Sequence, residues 1–225
     1  MAEGLINING DNVQVLQILA LTTLISLLPS LLVMMTSFTR YIVSLSFLRT
    51  AMGTQQTPPN LVLVGIAIFL TLLTMNPVLT QIQHDAWEPY TEQEISEEEF
   101  IERAQVPLKE FMLRNTEPST LRMFCDLAHE DVPQTDEELR AVSPELSLRL
   151  IVPSFMTCEL KRAFLTGFLL YIPFLLIDVV VSSTLMSMGM IMLPPAMIAT
   201  PFKLLLFVSL NGWDLLFSSL VQGVN

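Results

Sequence analysis

From Leu61 to Leu79 the chain reads LVLVGIAIFLTLLTMNPVL, an apolar run without one charged side chain. A helix of about 20 such residues spans the hydrocarbon of a bilayer. A run like this is satisfied in lipid or against other apolar helices, and nowhere else. Three more stretches resemble it. The segment Val13 to Met35 contains VLQILALTTLISLLPSLLVMM, Ala163 to Met186 reads AFLTGFLLYIPFLLIDVVVSSTLM, and Pro201 to Val221 reads PFKLLLFVSLNGWDLLFSSLV. Together they predict an all-α, membrane-associated fold. Asn76 and Pro77 are expected to end the second segment, and Pro29 and Pro173 to kink the first and third. MAEGLINING has no Lys or Arg and no small-x-small site follows the first core, so that segment is expected to be a retained helix.

Charge is confined to one part of the chain. Only 15% of residues are charged, against about 25% in soluble domains, and the mean hydropathy is +0.56. Between positions 81 and 149 stand 17 of the 22 acidic residues and 6 of the 11 basic ones, so the whole net charge of -11 belongs there. Three parts follow: an N-terminal apolar hairpin with a cytoplasmic-side loop (1–80), an acidic helical insert (81–150), and a C-terminal apolar hairpin with a methionine-rich tip (151–225). An acidic chain of this kind excludes nucleic acid as a partner, since phosphate binding needs clustered Lys and Arg.

The few polar groups in the apolar segments are informative. Arg40 and Arg49 lie in TSFTRYIVSLSFLRTAMG, nine residues apart and so on opposite sides of a helix. That suits a helix end with a loop, a helix packed inside an assembly, or a short juxtamembrane helix. GTQQTPPN (53–60) is a break. Positive charge marks cytoplasmic loops, which puts 36–60 inside and the acidic insert outside. Lys161 and Arg162 violate that rule, and Glu159 is expected to pair with one of them. Asp178 at bilayer depth must face protein or water. It reads as a neutral, hydrogen-bonded group joining two helices, or as an ion-coupling carboxylate. Lys203, Asn211 and Asp214 suit a helix that faces partner helices.

Within the insert, Thr91 with Glu94 three residues on predicts a helix start. Pro107 is expected to open a second helix through Leu113, Ser119 to His129 a third, and Val132 to Pro144 a loop with a short helix. His84 and His129 fit no metal spacing. Cys125 and Cys158 could pair in an oxidising compartment.

The most unusual local sequence is MSMGMIMLPPAM, with Met186, Met188, Met190, Met192 and Met197. Gly189 allows a left-handed backbone, and Pro194 and Pro195 disfavour a continuing helix. The spacing of two puts Met186, Met188, Met190 and Met192 on one side of an extended stretch. Thioether chains are flexible and polarizable, so around a pore they could close, yield to a passing chain and reseal. A methionine-filled core turn is the other reading. No nucleophilic triad, phosphate loop or dinucleotide fingerprint occurs, and no cofactor or metal is expected.

Four blocks resemble the FliP family, which is shared with the inner-membrane export core of type III secretion systems. They are MMTSFTRYIVSLSFLRTAMGTQQTPPN (34–60), PLKEFMLRNT (107–116), VPSFMTCELKRAFLTGF (152–168) and IPFLLIDVVVSSTLMSMGMIMLPPAMIATPFKLLLFVSLNGW (172–213). The resemblance implies no covalent chemistry. It implies a closed assembly of about five copies, joined by small FliQ-like and FliR-like membrane proteins and other export-apparatus subunits. That assembly would sit in the bacterial inner membrane at the flagellar basal body. Unfolded flagellar subunits would pass through it, driven by a separate ATPase and the proton motive force. The family's methionine gasket falls on Met190, Ile191 and Met192, with Met188 just before it. Family helices that look membrane-spanning largely pack on other subunits, so Lys161, Arg162, Lys203 and Asp214 would become ordinary interface groups; Arg40, Glu159, Lys161, Asp178 and Lys203 are read as structural polar groups. Two other readings remain: a proton-coupled transporter built on Asp178, and a purely structural membrane scaffold.

Overall fold

A computed structural model describes residues 33–54, 56–130, 133, 135–190 and 192–224, together with 7, 8, 11, 12, 19, 22, 23, 26, 27 and 30. Most of the first apolar segment, including Pro29, lies outside the described residues, as does Ile191. A two-residue antiparallel pair, β1 (Asn7–Ile8) and β2 (Asp11–Asn12), precedes a helical chain. The helices are α1 (Phe38–Met52), α2 (Asn60–Ile82), α3 (Glu88–Thr91), α4 (Glu97–Arg114), α5 (Pro118–Leu127), α6 (Asp136–Val142), α7 (Leu148–Ser187), α8 (Pro195–Ser209) and α9 (Gly212–Gln222). The all-α expectation holds for this architecture.

Two helices are longer than their apolar cores. Pro77 does not end α2. The helix passes through it and continues by a π-turn, Gln83–Trp87, into α3. Proline removes one amide donor, but Met75 and Val78 are buried on either side of it and hold the helix on course. The run Asn60–Thr91 has 32 residues, about 48 Å at 1.5 Å per residue. Likewise α7 begins at Leu148, not Ala163, and runs 40 residues, about 60 Å. Both exceed the hydrocarbon thickness of about 30 Å. Both are also long and apolar enough to cross a membrane. Hydropathy locates only the apolar part of α7. Its first turns carry Arg149, Glu159, Lys161 and Arg162, most of which find partners inside the chain.

Each long helix passes through two cores. In the first, Leu63 and Ala67 of α2 and Phe174 of α7 pack with Tyr41, Leu45 and Leu48 of α1 and with α8 and α9. In the second, Met75 and Val78 of α2 and Ile151 and Phe155 of α7 meet Phe111 and Met112 of α4 and the short helices α5 and α6. Val224 touches both. Where α1 crosses α7, a Cβ on Gly167 would stand 2.5 Å from Cγ of Phe47. No larger residue fits without moving that ring.

Three further expectations are corrected. Thr91 closes α3 instead of starting a helix. The cap is Ser96, whose Oγ accepts from the amide of Glu99 at 3.3 Å. Glu97, Glu98 and Glu99 fill that first turn, where the helix dipole favours negative charge. Pro107 lies inside α4, which is continuous. The fourth apolar segment is two helices, bent by 65° between α8 and α9. Asn211 takes the left-handed conformation there, φ 48°, which Asn tolerates better than most side chains.

Candidate functional site

The turn between α7 and α8 projects the methionines. Helix α7 closes with Gly189 at φ 76°, its amide donating to Met186 O at 3.0 Å and the Met190 amide to Leu185 O at 3.0 Å. Pro194 is extended and Pro195 is the first residue of α8, the position where a missing amide is harmless. Met186, Met188, Met190, Met192 and Met197 are all exposed, Met192 by 99%. The four methionines with a spacing of two do not lie on an extended strand. Met186 belongs to the last helical turn and Met188 caps it at φ -83°, ψ 1°, so no extended stretch holds the four. They share exposure because the turn stands beyond the packed helices.

Behind the turn lies an ion pair. Asp178 on α7 accepts from Lys203 Nζ on α8 at 2.7 Å, and Nζ also donates to Ala51 O at 3.0 Å. The partner of Asp178 is thus the buried Lys203, at ion-pair distance. The joining of two helices is as expected. One lysine thus pins α7, α8 and the C-terminal end of α1 together.

A second cluster sits toward the other end of α7. Arg40 of α1 forks onto Glu159, with Nε donating to Oε2 at 2.7 Å and Nη2 donating to Oε1. Both residues are buried. Arg40 Nη1 also donates to Gly223 O, past the end of α9. Arg162 Nη1 reaches Asn115 Oδ1 at 3.3 Å and Glu159 Oε1 at 3.5 Å. Lys161 pairs instead with Glu117 at 2.7 Å. Glu159 therefore does meet Arg162, but its main partner is Arg40, 119 residues away. A buried, paired Arg40 is no longer a free loop charge, so the positive-inside argument for residues 36–60 rests on Arg49 alone.

Cys125 and Cys158 are both buried and free. Cys158 Sγ accepts from the amide of Glu117 at 3.3 Å. Burial, and then the nearby Glu130 and Asp126, push the Cys125 thiol up from its ordinary value. Exposed His84 meets Asp85 at 2.8 Å. Among the described residues, no group of three or more His, Cys, Asp or Glu could hold a metal ion.

With this geometry in view, residues 21–220 match the FliP family profile. The chain belongs to the FliP family. It is 46% identical over 213 residues to the flagellar biosynthetic protein FliP of Aquifex aeolicus, covering 95% of this chain and 87% of the relative. It is 45% identical to the FliP of Bacillus subtilis, covering 92% and 90%. The FliP of Caulobacter vibrioides is also 45% identical, covering 99% and 83%.

In this FliP-family chain the site residues fall into two groups. Met188, Gly189, Met190, Met192, Pro194 and Pro195 form one turn, backed by Asp178 and Lys203. Arg40, Glu159 and Lys161 belong to the distant cluster. The sequence reading missed the partners Ala51, Asn115, Glu117 and Gly223. Three of these act through backbone groups or a neutral amide, which carry no sequence signal.

Proposed function

We propose that this chain is a core subunit of the flagellar type III protein export channel. In this reading about five copies close around a pore, with FliQ-like and FliR-like small membrane proteins, in the bacterial inner membrane at the basal body. The acidic residues 81–149 lie outside the cytoplasm. The turn Met188 to Met192, with Ile191, lines the constriction through which unfolded flagellar subunits pass.

The observation that carries this is the exposure of the methionine turn on a pinned base. Apolar constrictions close by excluding water, and thioether chains adapt to whatever fills them. Asp178 and Lys203 hold the roots of α7 and α8 together, so only the tip need move. The apolar faces of the long helices favour assembly: Phe69 on α2, Phe168 on α7 and Val208 on α8 are well exposed in the single chain.

The test is contact with cargo. With a photo-crosslinking residue at position 190 and an export substrate stalled in the channel, the two chains should join. An assembled, export-competent complex that never crosslinks would overturn the reading and favour a scaffold. Asp178 as a proton-coupling group is the weaker alternative, because Lys203 already occupies it. Full export by an Asp178→Asn variant would exclude that alternative.

A further inference from the structure

Five of the 13 methionines fall within residues 186–197. All five are exposed, whereas Met52, Met75 and Met112 in the two cores are 3%, 2% and 0% exposed. A thioether is the apolar side chain that mild two-electron oxidants attack, and attack needs access to sulfur. The same segment therefore holds five of the seven exposed methionines among the described residues and, in the reading above, the groups that keep the pore dry.

We propose that the methionine turn is a reversible oxidation site, at which hydrogen peroxide converts Met188, Met190 and Met192 to sulfoxides and makes the closed channel leak. The inference rests on the gasket reading. In each event the sulfur lone pair attacks one peroxide oxygen, an S–O bond forms and the O–O bond breaks. Sulfur loses two electrons, the peroxide is reduced, and one water leaves with both protons. The product is a polar, chiral side chain in place of an apolar one. A constriction that stays closed by dewetting would then accept water. Methionine sulfoxide reductases, one for each epimer, restore the thioether with a dithiol as reductant: the S–O bond breaks, the oxygen leaves as water, and the dithiol becomes a disulfide.

Position within the chain supplies the controls. Met123 on α5 is also exposed but belongs to the second core's helices, far in sequence from the turn. It should oxidise without consequence for the pore. The three buried methionines should lag, since their sulfurs are reached only by local opening.

The experiment uses the assembled full-length complex in proteoliposomes, treated with hydrogen peroxide. Peptide mass spectrometry should find sulfoxide at Met186, Met188, Met190, Met192 and Met197 on the order of tenfold faster than at Met52, Met75 and Met112. Ion leak should rise with it and fall again after both reductases and a dithiol reductant are added. A Met123→Leu variant should respond as the parent does. In the triple Met→Leu variant at 188, 190 and 192, the ratio of leak after peroxide to leak before it should fall to about one. Equal oxidation of turn and core methionines, or sulfoxide without added leak, would overturn the proposal. An untreated triple Met→Ala variant separates the two failures. If that variant leaks while the oxidised parent does not, the oxidation site fails and the gasket stands. If neither leaks, the gasket reading falls and takes this proposal with it.

Discussion

Toward one end of α7, Glu159 is buried between Arg40 and Arg162, and the backbone of Gly223 closes the cluster. At the other end, Met188, Met190 and Met192 stand exposed on a turn one residue past the helix. The first end is specified by directional, charge-assisted bonds that have one good geometry. The second is made of unbranched chains with many. The contrast suggests a division of labour along one helix. A fixed frame holds the end near the acidic region, and a compliant tip can be deformed without loosening the frame. Asp178 and Lys203 mark the boundary between the two regimes.

The largest effect should come from the frame. Glu159→Ala leaves Arg40 buried without its carboxylate, at a cost of about 3–5 kcal/mol. Thermal melting of the detergent-purified protein should drop accordingly. A loss below about 1 kcal/mol would class the pair with surface ion pairs and erase the contrast. Next, Asp178→Asn should cost about 1–3 kcal/mol, less than the frame because the Asp178 side chain keeps 31% of its exposure. The same melting measurement checks it, and a cost equal to that of Glu159→Ala would move the boundary to the tip. Met192→Ser should change stability by no more than about 0.5 kcal/mol, as surface substitutions do. A large loss would show that the tip is packed. The smallest effect concerns Cys125. Its raised thiol is neutral in the folded state, so its contribution to stability is intact below the ordinary thiol pKa and is lost as pH rises past it. Native alkylation of Cys125 should therefore stay slow until the pH exceeds the ordinary thiol range, and fast labelling at neutral pH would contradict that.

Much of this architecture is legible in the residues, and the gaps have physical causes. The apolar runs in α2 and α7 announce themselves, because hydropathy is local. Their true ends do not, because burial of Met75 and Val78 outweighs the donor lost at Pro77. Ser96 caps α4 where Thr91 was expected to start a helix, although both have a glutamate three residues on; the sequence alone offers two equal starts. The methionine turn stands out by composition, yet its geometry does not follow from the spacing. A spacing of two describes a strand, and here a helix end and a turn expose the same residues by another route. The Arg40–Glu159 pair was least accessible. Nothing local links two charges 119 positions apart, and only the crossing of α1 on α7, permitted by Gly167, brings them together.

Under the channel proposal, the methionine tip keeps an assembled pore dry. Ion conductance of the complex reconstituted in planar bilayers tests it most directly, comparing the parent with a Met188→Ala, Met190→Ala, Met192→Ala variant of matched assembly. The parent should be tight, and the variant should conduct on the order of tenfold more or higher. An assembled variant as tight as the parent would contradict it.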